Sequence, residues 1–225
     1  MQLYYLNVSD DFSMDRKIIQ TLVPAFRLAQ AKKYWKERDR NLSVVSYLLW
    51  KYVTKDPGNP WSYGKVHKPY VPEGPFFNIS HTRGMVACAV SETGEVGVDV
   101  ERSATGIHDG ISELTMSKAE QACIRENPEV FYRFWTLKEA YYKWKGTGIT
   151  DTLTDLNVSP VLSPKYEASG RGRELRKGSI LGGNFVSFKT GGYFLSAFSE
   201  KQDVDVELSE ITEETLIQWA MNKCR

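Results

Sequence analysis

The stretch that most limits what this chain can fold into is Glu95-Val96-Gly97-Val98-Asp99-Val100-Glu101-Arg102. Alternation along a strand puts Val96, Val98 and Val100 on one face and Asp99 and Glu101 together on the other. The valine face demands an apolar cover. The acidic face sets two carboxylates side by side, and burying either costs roughly several kcal/mol unless a cation sits between them. An ordinary solvated strand face reads the same way, so this segment alone leaves a metal site and a wet surface both open.

A second stretch narrows the choice. The spacing of PEVFYRFWTLKEAYYKWKG predicts a helix over Glu129 to Lys145, opened by Asn127-Pro128 and stopped by Gly146 and Gly148. Trp135, Glu139, Tyr142 and Lys143 fall on neighbouring turns of one side. A lone Glu139 and Lys143 pair is what solvated helices also show; joined to the acidic strand, it becomes a candidate site.

The remaining chain reads as alternating helices and strands. Residues 2–8 predict a first strand, Asp15 to Arg38 a basic helical region broken near Pro24, and Asp39 to Val53 a helix burying Leu42, Val45, Leu48, Leu49 and Tyr52. Arg40 stands at the mouth of that helix, where exposed backbone N–H groups could join it in meeting a phosphate. Residues 56–74 read as a loop. Its Gly58-Asn-Pro-Trp-Ser-Tyr-Gly64-Lys65-Val66 is no Walker A site, because five residues separate the glycines, Val66 stands where Ser or Thr would bind metal, and no strand precedes it. Lys65 and Lys68 remain as phosphate-facing charges. Met85 to Ser91 and Val96 to Glu101 predict a hairpin around Glu92-Thr93-Gly94-Glu95. After Arg102 comes the best domain boundary, giving subdomains 1–102 and 103–225. Ser117 and Glu120 have capping-box spacing for a short helix to Arg125; residues 167–183 read as a mobile loop. A hairpin over Asn184 to Ser199, a strand over Asp203 to Leu208 and a helix over Thr212 to Cys224 close the chain.

With 225 residues and 41% apolar content, the chain can bury one large core or two small ones. A formal net charge of +1 argues against a general nucleic-acid binder. Three widely spaced cysteines, Cys88, Cys123 and Cys224, suit free thiols; with no apolar run of spanning length and no signal-like N-terminus, a cytoplasmic protein is expected.

Three blocks in order, Phe77-Asn-Ile-Ser80-His81, Gly97-Val-Asp99-Val-Glu101 and Trp135-Thr-Leu-Lys138-Glu139-Ala-Tyr-Tyr-Lys143, resemble the signatures of the Sfp-type 4′-phosphopantetheinyl transferases. The resemblance implies an α+β fold of two similar α/β subdomains related by pseudo-twofold symmetry, with the active site at their interface. It implies transfer of phosphopantetheine from coenzyme A to a serine of an apo acyl, peptidyl or polyketide carrier protein, with release of 3′,5′-ADP. By position, Asp99, Glu101 and Glu139 are then the magnesium ligands, with Glu139 also the base, directly or through a water. Lys143 and His81 meet the pyrophosphate, with Ser80 and Lys138 nearby. Arg40 and Lys33 meet the 3′-phosphate, and Lys65 or Lys68 supplies the lysine of the family's GKP element, since the sequence here reads Gly64-Lys-Val-His-Lys68-Pro69. Magnesium takes few protein oxygens and fills its remaining positions with phosphate and water, which three carboxylates from two elements would allow. Two halves in one chain imply a monomer.

Two other functions stay in view. A non-catalytic adaptor binding coenzyme A or a carrier would keep the fold for recognition, and a metal-dependent hydrolase would cleave coenzyme A without a carrier. Ile111, Leu114 and Met116 are candidates for a partner surface, although apolar residues there equally suit a core.

Overall fold

The computed structural model describes residues 1–55, 61–64, 67–104, 109–149, 153–168, 174–200 and 206–225. In chain order these form β1 (Gln2–Asn7), α1 (Arg16–Leu22), α2 (Ala25–Ala31), α3 (Glu37–Val53), β2 (Ser62–Tyr63), β3 (Pro69–Tyr70), β4 (Phe76–Thr82), β5 (Met85–Ser91) and β6 (Val96–Arg102). Then come α4 (Asp109–Thr115), α5 (Lys118–Glu126), α6 (Val130–Lys145), β7 (Glu167–Ala168), β8 (Glu174–Ile180), β9 (Gly183–Thr190), β10 (Tyr193–Ser199), β11 (Glu207–Ile211) and α7 (Glu213–Lys223). The architecture is mixed α+β.

Two sheets carry the fold, one in the order β11-β1-β5-β4 and the other β6-β10-β9-β8-β7. Period-2 side chains make each sheet two-faced. On β5, Met85, Ala87 and Ala89 join the core between the sheets, while Val86, Cys88 and Val90 join the core under α3. Val96, Val98 and Val100 of β6 enter that same central core with Val186, Phe188, Leu195 and Ala197, so the valine face is covered as the sequence requires. A third core, including Phe134, Leu137 and Trp144 of α6, fills the outer face of the second sheet. The layers therefore run helix, sheet, sheet, helix.

Several sequence expectations are corrected. β5 and β6 form no hairpin: β5 pairs with β1 and β4, and β6 pairs with β10 in the other sheet. The chain crosses between sheets at the Glu92 to Glu95 turn because the two apolar faces meet across a core rather than side by side. A division at residue 102 consequently cuts through both sheets. β6 belongs with the second, and β11 returns from the C-terminal end to pair in parallel with β1 of the first. Residues 167–183, read as a loop, hold strands β7 and β8 on either side of residues outside the description. Buried Arg176 anchors them through Glu167, Glu174 and the Val161 carbonyl.

The helices follow their local signals. Pro24 separates α1 from α2. Ser117 and Glu120 close a reciprocal capping box on α5, and α6 stops at Gly146 in the left-handed region with φ 64°. Cys88, Cys123 and Cys224 are free thiols. Among the described residues no helix is long and apolar enough to cross a membrane.

Candidate active site

The site forms where the edge of one sheet meets the edge of the other. β4 and β6 share no backbone ladder; side chains join them instead. Asn78 Oδ1 accepts from Val98 N at 2.9 Å, Ser80 Oγ donates to Asp99 Oδ1 at 2.8 Å, and Thr82 Oγ1 donates to a Glu101 carboxylate oxygen at 3.2 Å. α6 lies across the acidic face of β6, and Gly97 permits the approach. A Cβ there would stand 2.0 Å from the Ala140 carbonyl oxygen and 2.3 Å from the Trp144 nitrogen. Thr136 and Ser196 hydroxyls, 2.8 Å apart, fix the helix further along.

This packing turns Glu139 and Lys143 toward Asp99 and Glu101. Lys143 Nζ lies 2.5 Å from Asp99 Oδ1 and 3.3 Å from Ser80 Oγ. Asp99 is only 4% exposed, and its other oxygen, Oδ2, is buried without a hydrogen-bond partner. Burial and then the Asp99 charge push the Glu101 carboxyl up to about 7; the Thr82 hydrogen bond and Lys143 oppose this, and Glu139 adds to it. Glu139 is raised by burial and by Asp99, against Lys143. The three carboxylates thus feel one another across one space, with the Lys143 ammonium beside them.

Asp99, Glu101 and Glu139, the expected magnesium ligands, face one space without closing into a ready-made ligand set. Among the described residues no group of three or more His, Cys, Asp or Glu side chains could hold a metal ion. Lys143 on Asp99 and Thr82 on Glu101 engage the oxygens that such a set would share. A narrower fit remains. An orphaned buried oxygen costs free energy that a cation would recover, and a hard divalent ion needs only one or two protein carboxylates beside water and phosphate. Asp99 Oδ2 and Glu101 have that chemistry, with Glu139 facing them.

Two cavities flank Ile79. One, of about 320 Å³, is lined by Lys68, Asn78, Glu139, Tyr142, Lys143 and Ile149 among others. The second, of about 280 Å³, is lined by Arg27, Tyr34, Ser46, Trp61, Ser80 and His81 among others, and the two share His67, Pro69 and Ile79 as a common wall. His81 packs edge-on against Tyr34 at 5.7 Å. Burial, followed by the charge of Arg27, lowers its pKa and keeps the imidazole neutral, Asp39 pulling the other way.

Arg27 is the residue that sequence reading missed. It is 5% exposed, and its partners are neutral: Gln30 Oε1 at 2.7 Å, the Ser43 carbonyl at 2.8 Å and Ser43 Oγ at 3.1 Å. Its guanidinium lies over Trp61 at 4.8 Å, and its Nε is buried without a partner. A buried cation unmatched by a carboxylate among the described residues, on a cavity wall, is suited to an anion. Nothing in a run of basic residues distinguishes the one that folds inward.

The other sequence candidates divide. Ser80, His81, Asp99, Glu101, Glu139 and Lys143 come together. Trp135 does not join them; it stacks on Phe131 at 6.1 Å. Lys68 lines the first cavity but is tied to Glu95 at 2.5 Å and to the Val96 carbonyl at 2.8 Å. Lys65 lies outside the described residues. Lys33 is exposed. Arg40 holds the turn before α3 through the carbonyls of Tyr34 at 2.8 Å and Trp35 at 3.0 Å, so it steadies the turn bearing Tyr34. Lys138 is a correction: it is fully buried, 2.6 Å from Glu120, and touches neither cavity. Adjacent helix positions point about 100° apart, and only one of the Lys138-Glu139 pair can face β6.

Comparison with known proteins agrees with this geometry. A family model described as the 4′-phosphopantetheinyl transferase superfamily matches residues 95–185, the span holding β6 and α6. Over that span the chain is similar to this superfamily. It is 30% identical over 139 residues to the 4′-phosphopantetheinyl transferase HetI of Nostoc sp., covering 54% of this chain and 59% of that one. It is 32% identical over 101 residues to the transferase Sfp of Bacillus subtilis, covering 43% and 44%. The 4′-phosphopantetheinyl transferase gsp of Aneurinibacillus migulanus is 36% identical over 94 residues, 36% of each chain. The matches to these relatives thus span less than two thirds of their lengths.

Proposed function

We propose that this protein is a member of that superfamily and transfers the 4′-phosphopantetheine group of coenzyme A to a serine of an apo carrier protein, releasing 3′,5′-ADP. The observation that carries the reading is the acidic space at the β4–β6 seam, where Asp99 Oδ2 is buried without a partner and Glu139 and Lys143 face it from α6. Asp99 and Glu101, with Glu139 beside them, would hold a magnesium ion. When bound, that ion neutralises charge developing on the pyrophosphate.

The chain's own residues divide the remaining work. Lys143 and neutral His81 bind phosphate oxygens from the two cavities, and Arg27 binds the 3′-phosphate, a role the resemblance implied for Arg40 and Lys33. Glu139 accepts the proton of the carrier serine as its Oγ bonds to the β-phosphorus and the bond to the departing 3′,5′-ADP oxygen breaks. Burial suits Glu139 to this role, because a raised pKa makes a carboxylate a better proton acceptor near neutral pH. The two sheets, each with a long helix on its outer face, accord with pseudo-twofold halves. Ile111 and Leu114, 44% and 78% exposed on α4, form the apolar part of the carrier surface, whereas Met116 is fully buried and leaves that set. We further infer a monomeric, cytoplasmic protein.

Incubation with coenzyme A, magnesium and a panel of apo carriers tests the reading by mass spectrometry. A carrier should gain the mass of phosphopantetheine, and Glu139→Gln should lower the rate by about 10²-fold or more with an unchanged circular dichroism spectrum. Phosphopantetheine released without a carrier would make the protein a hydrolase. Tight coenzyme A binding with no product would make it an adaptor.

A further inference from the structure

α6 faces two ways. One side presents Glu139 and Lys143 to the acidic space; the next residue back, Lys138, carries a charge into the interior. Its ammonium has three N–H donors, and all three are used: Glu120 Oε2 at 2.6 Å, the Thr115 carbonyl at 2.8 Å and the Leu153 carbonyl at 2.8 Å. Glu120 is equally occupied. Its Oε2 also accepts from Ser117 N at 2.7 Å, and its Oε1 accepts from Val158 N at 2.7 Å. Both side chains are 0% exposed.

Thr115 ends α4, Ser117 caps α5, Leu153 opens a 3-10 turn at Leu153–Asp155, and Val158 caps another at Ser159–Leu162. One buried ion pair therefore ties four segments to the helix that carries the candidate base. A pair of this kind adds little net stability over apolar side chains of similar volume, so stability alone does not account for it. What it fixes is position. α4, with exposed Ile111 and Leu114, hangs from the backbone neighbour of Glu139 through one carbonyl contact.

We infer that Lys138 and Glu120 are positioning residues that hold α4 at a fixed distance from Glu139, and so set where a docked macromolecular partner presents its reacting group. This rests on the transfer reading above. Coenzyme A binds elsewhere on that reading, in the cavities flanking Ile79, so the two substrates should respond differently.

The test measures steady-state kinetics for both substrates in Lys138→Met and in the charge-free pair Lys138→Met/Glu120→Gln. Expected is a rise of about tenfold in KM for the apo carrier, with KM for coenzyme A within about twofold of wild type. Leu114→Ala should reproduce the rise without disturbing the buried pair. Equal changes in both KM values, or a fall in kcat alone, would reduce the pair to a general stabiliser and overturn the inference. Should neither variant fold, hydrogen exchange on the wild-type protein decides. The Ser117 and Val158 amides should exchange as slowly as those in the middle of α6. Exchange on the order of 10²-fold faster would show that the node does not bind these segments together. That measurement needs no turnover, so a protein inactive on every carrier would sink the transfer reading without touching it.

Discussion

At the seam, individual side chains are held in states that free amino acids would not adopt. Glu101 is the clearest: its carboxyl sits at about 7 instead of 4.5. A raised carboxyl pKa means that the folded protein binds the proton more tightly than the unfolded chain does. The associated stability is fully present below pH 4.5 and is lost as pH rises through about 7. Glu139 acts in the same sense, whereas His81, lowered by burial, removes stability as pH falls. The ligand-free Glu101→Gln variant should therefore gain on wild type by about 1–2 kcal/mol between pH 5 and pH 8, after allowance for partial exposure, as measured by urea unfolding. A constant difference across that range would remove Glu101 from the coupled set. Arg27 gives a second prediction. On the proposed reading, Arg27→Met weakens 3′,5′-ADP binding by about 10- to 100-fold and leaves 5′-AMP within about twofold, read by calorimetry. Equal loss for both nucleotides would place Arg27 in packing instead of phosphate recognition. The acidic residues were legible because a period of two and a turn of 3.6 fix which side chains share a face. Arg27 was not, since its inward turn depends on Trp61, from a loop distant in sequence, lying beneath it.

Between elements, the decisive contact is β6 against α6. Gly97 leaves no room for a methyl group, since its neighbours are backbone atoms of Ala140, Lys143 and Trp144 that cannot swing aside as a side chain would. Gly97→Ala should force the helix outward and destabilise the protein by roughly 2–3 kcal/mol. Activity should fall further than stability accounts for, because Glu139 and Lys143 ride on the displaced turns. Comparing thermal unfolding with the carrier assay separates the two effects; unchanged turnover in a destabilised variant would mean that the placement of α6 is not critical. The helices α3, α5 and α6 could be read from spacing and caps. The partner of β6 could not. β5 and β6 each alternate apolar and polar or small residues, a four-residue turn joins them, and a local hairpin satisfies every local signal as well as the crossing does. Only β10, far along the chain, settles the pairing.

The whole molecule is interlocked by two strands that leave the half in which sequence order would place them. β6, ending at Arg102, contributes its valines to the central core but takes its hydrogen bonds from β10. β11 supplies the parallel neighbour of β1, and α7 follows it to bury Leu216 and Ala220 in the core beneath α3. A fragment of residues 1–102 would keep β1, β4 and β5 yet lose β11, α7 and the apolar cover of Val186, Phe188, Leu195 and Ala197. Its central face would then be open to water over the width of a sheet, and β6 would have no ladder. Such a fragment should show a collapsed amide proton spectrum and bind hydrophobic dyes, and residues 103–225 should behave in the same way. Mixed in equal amounts, the two should recover a dispersed spectrum, because every missing partner of one fragment lies in the other. Dispersed signals from residues 1–102 alone would mean that the first sheet and its helices suffice as a folding unit, and that β6 docks onto β10 only afterwards. The position of the acidic space would then depend on how two finished units meet, instead of on one cooperative core.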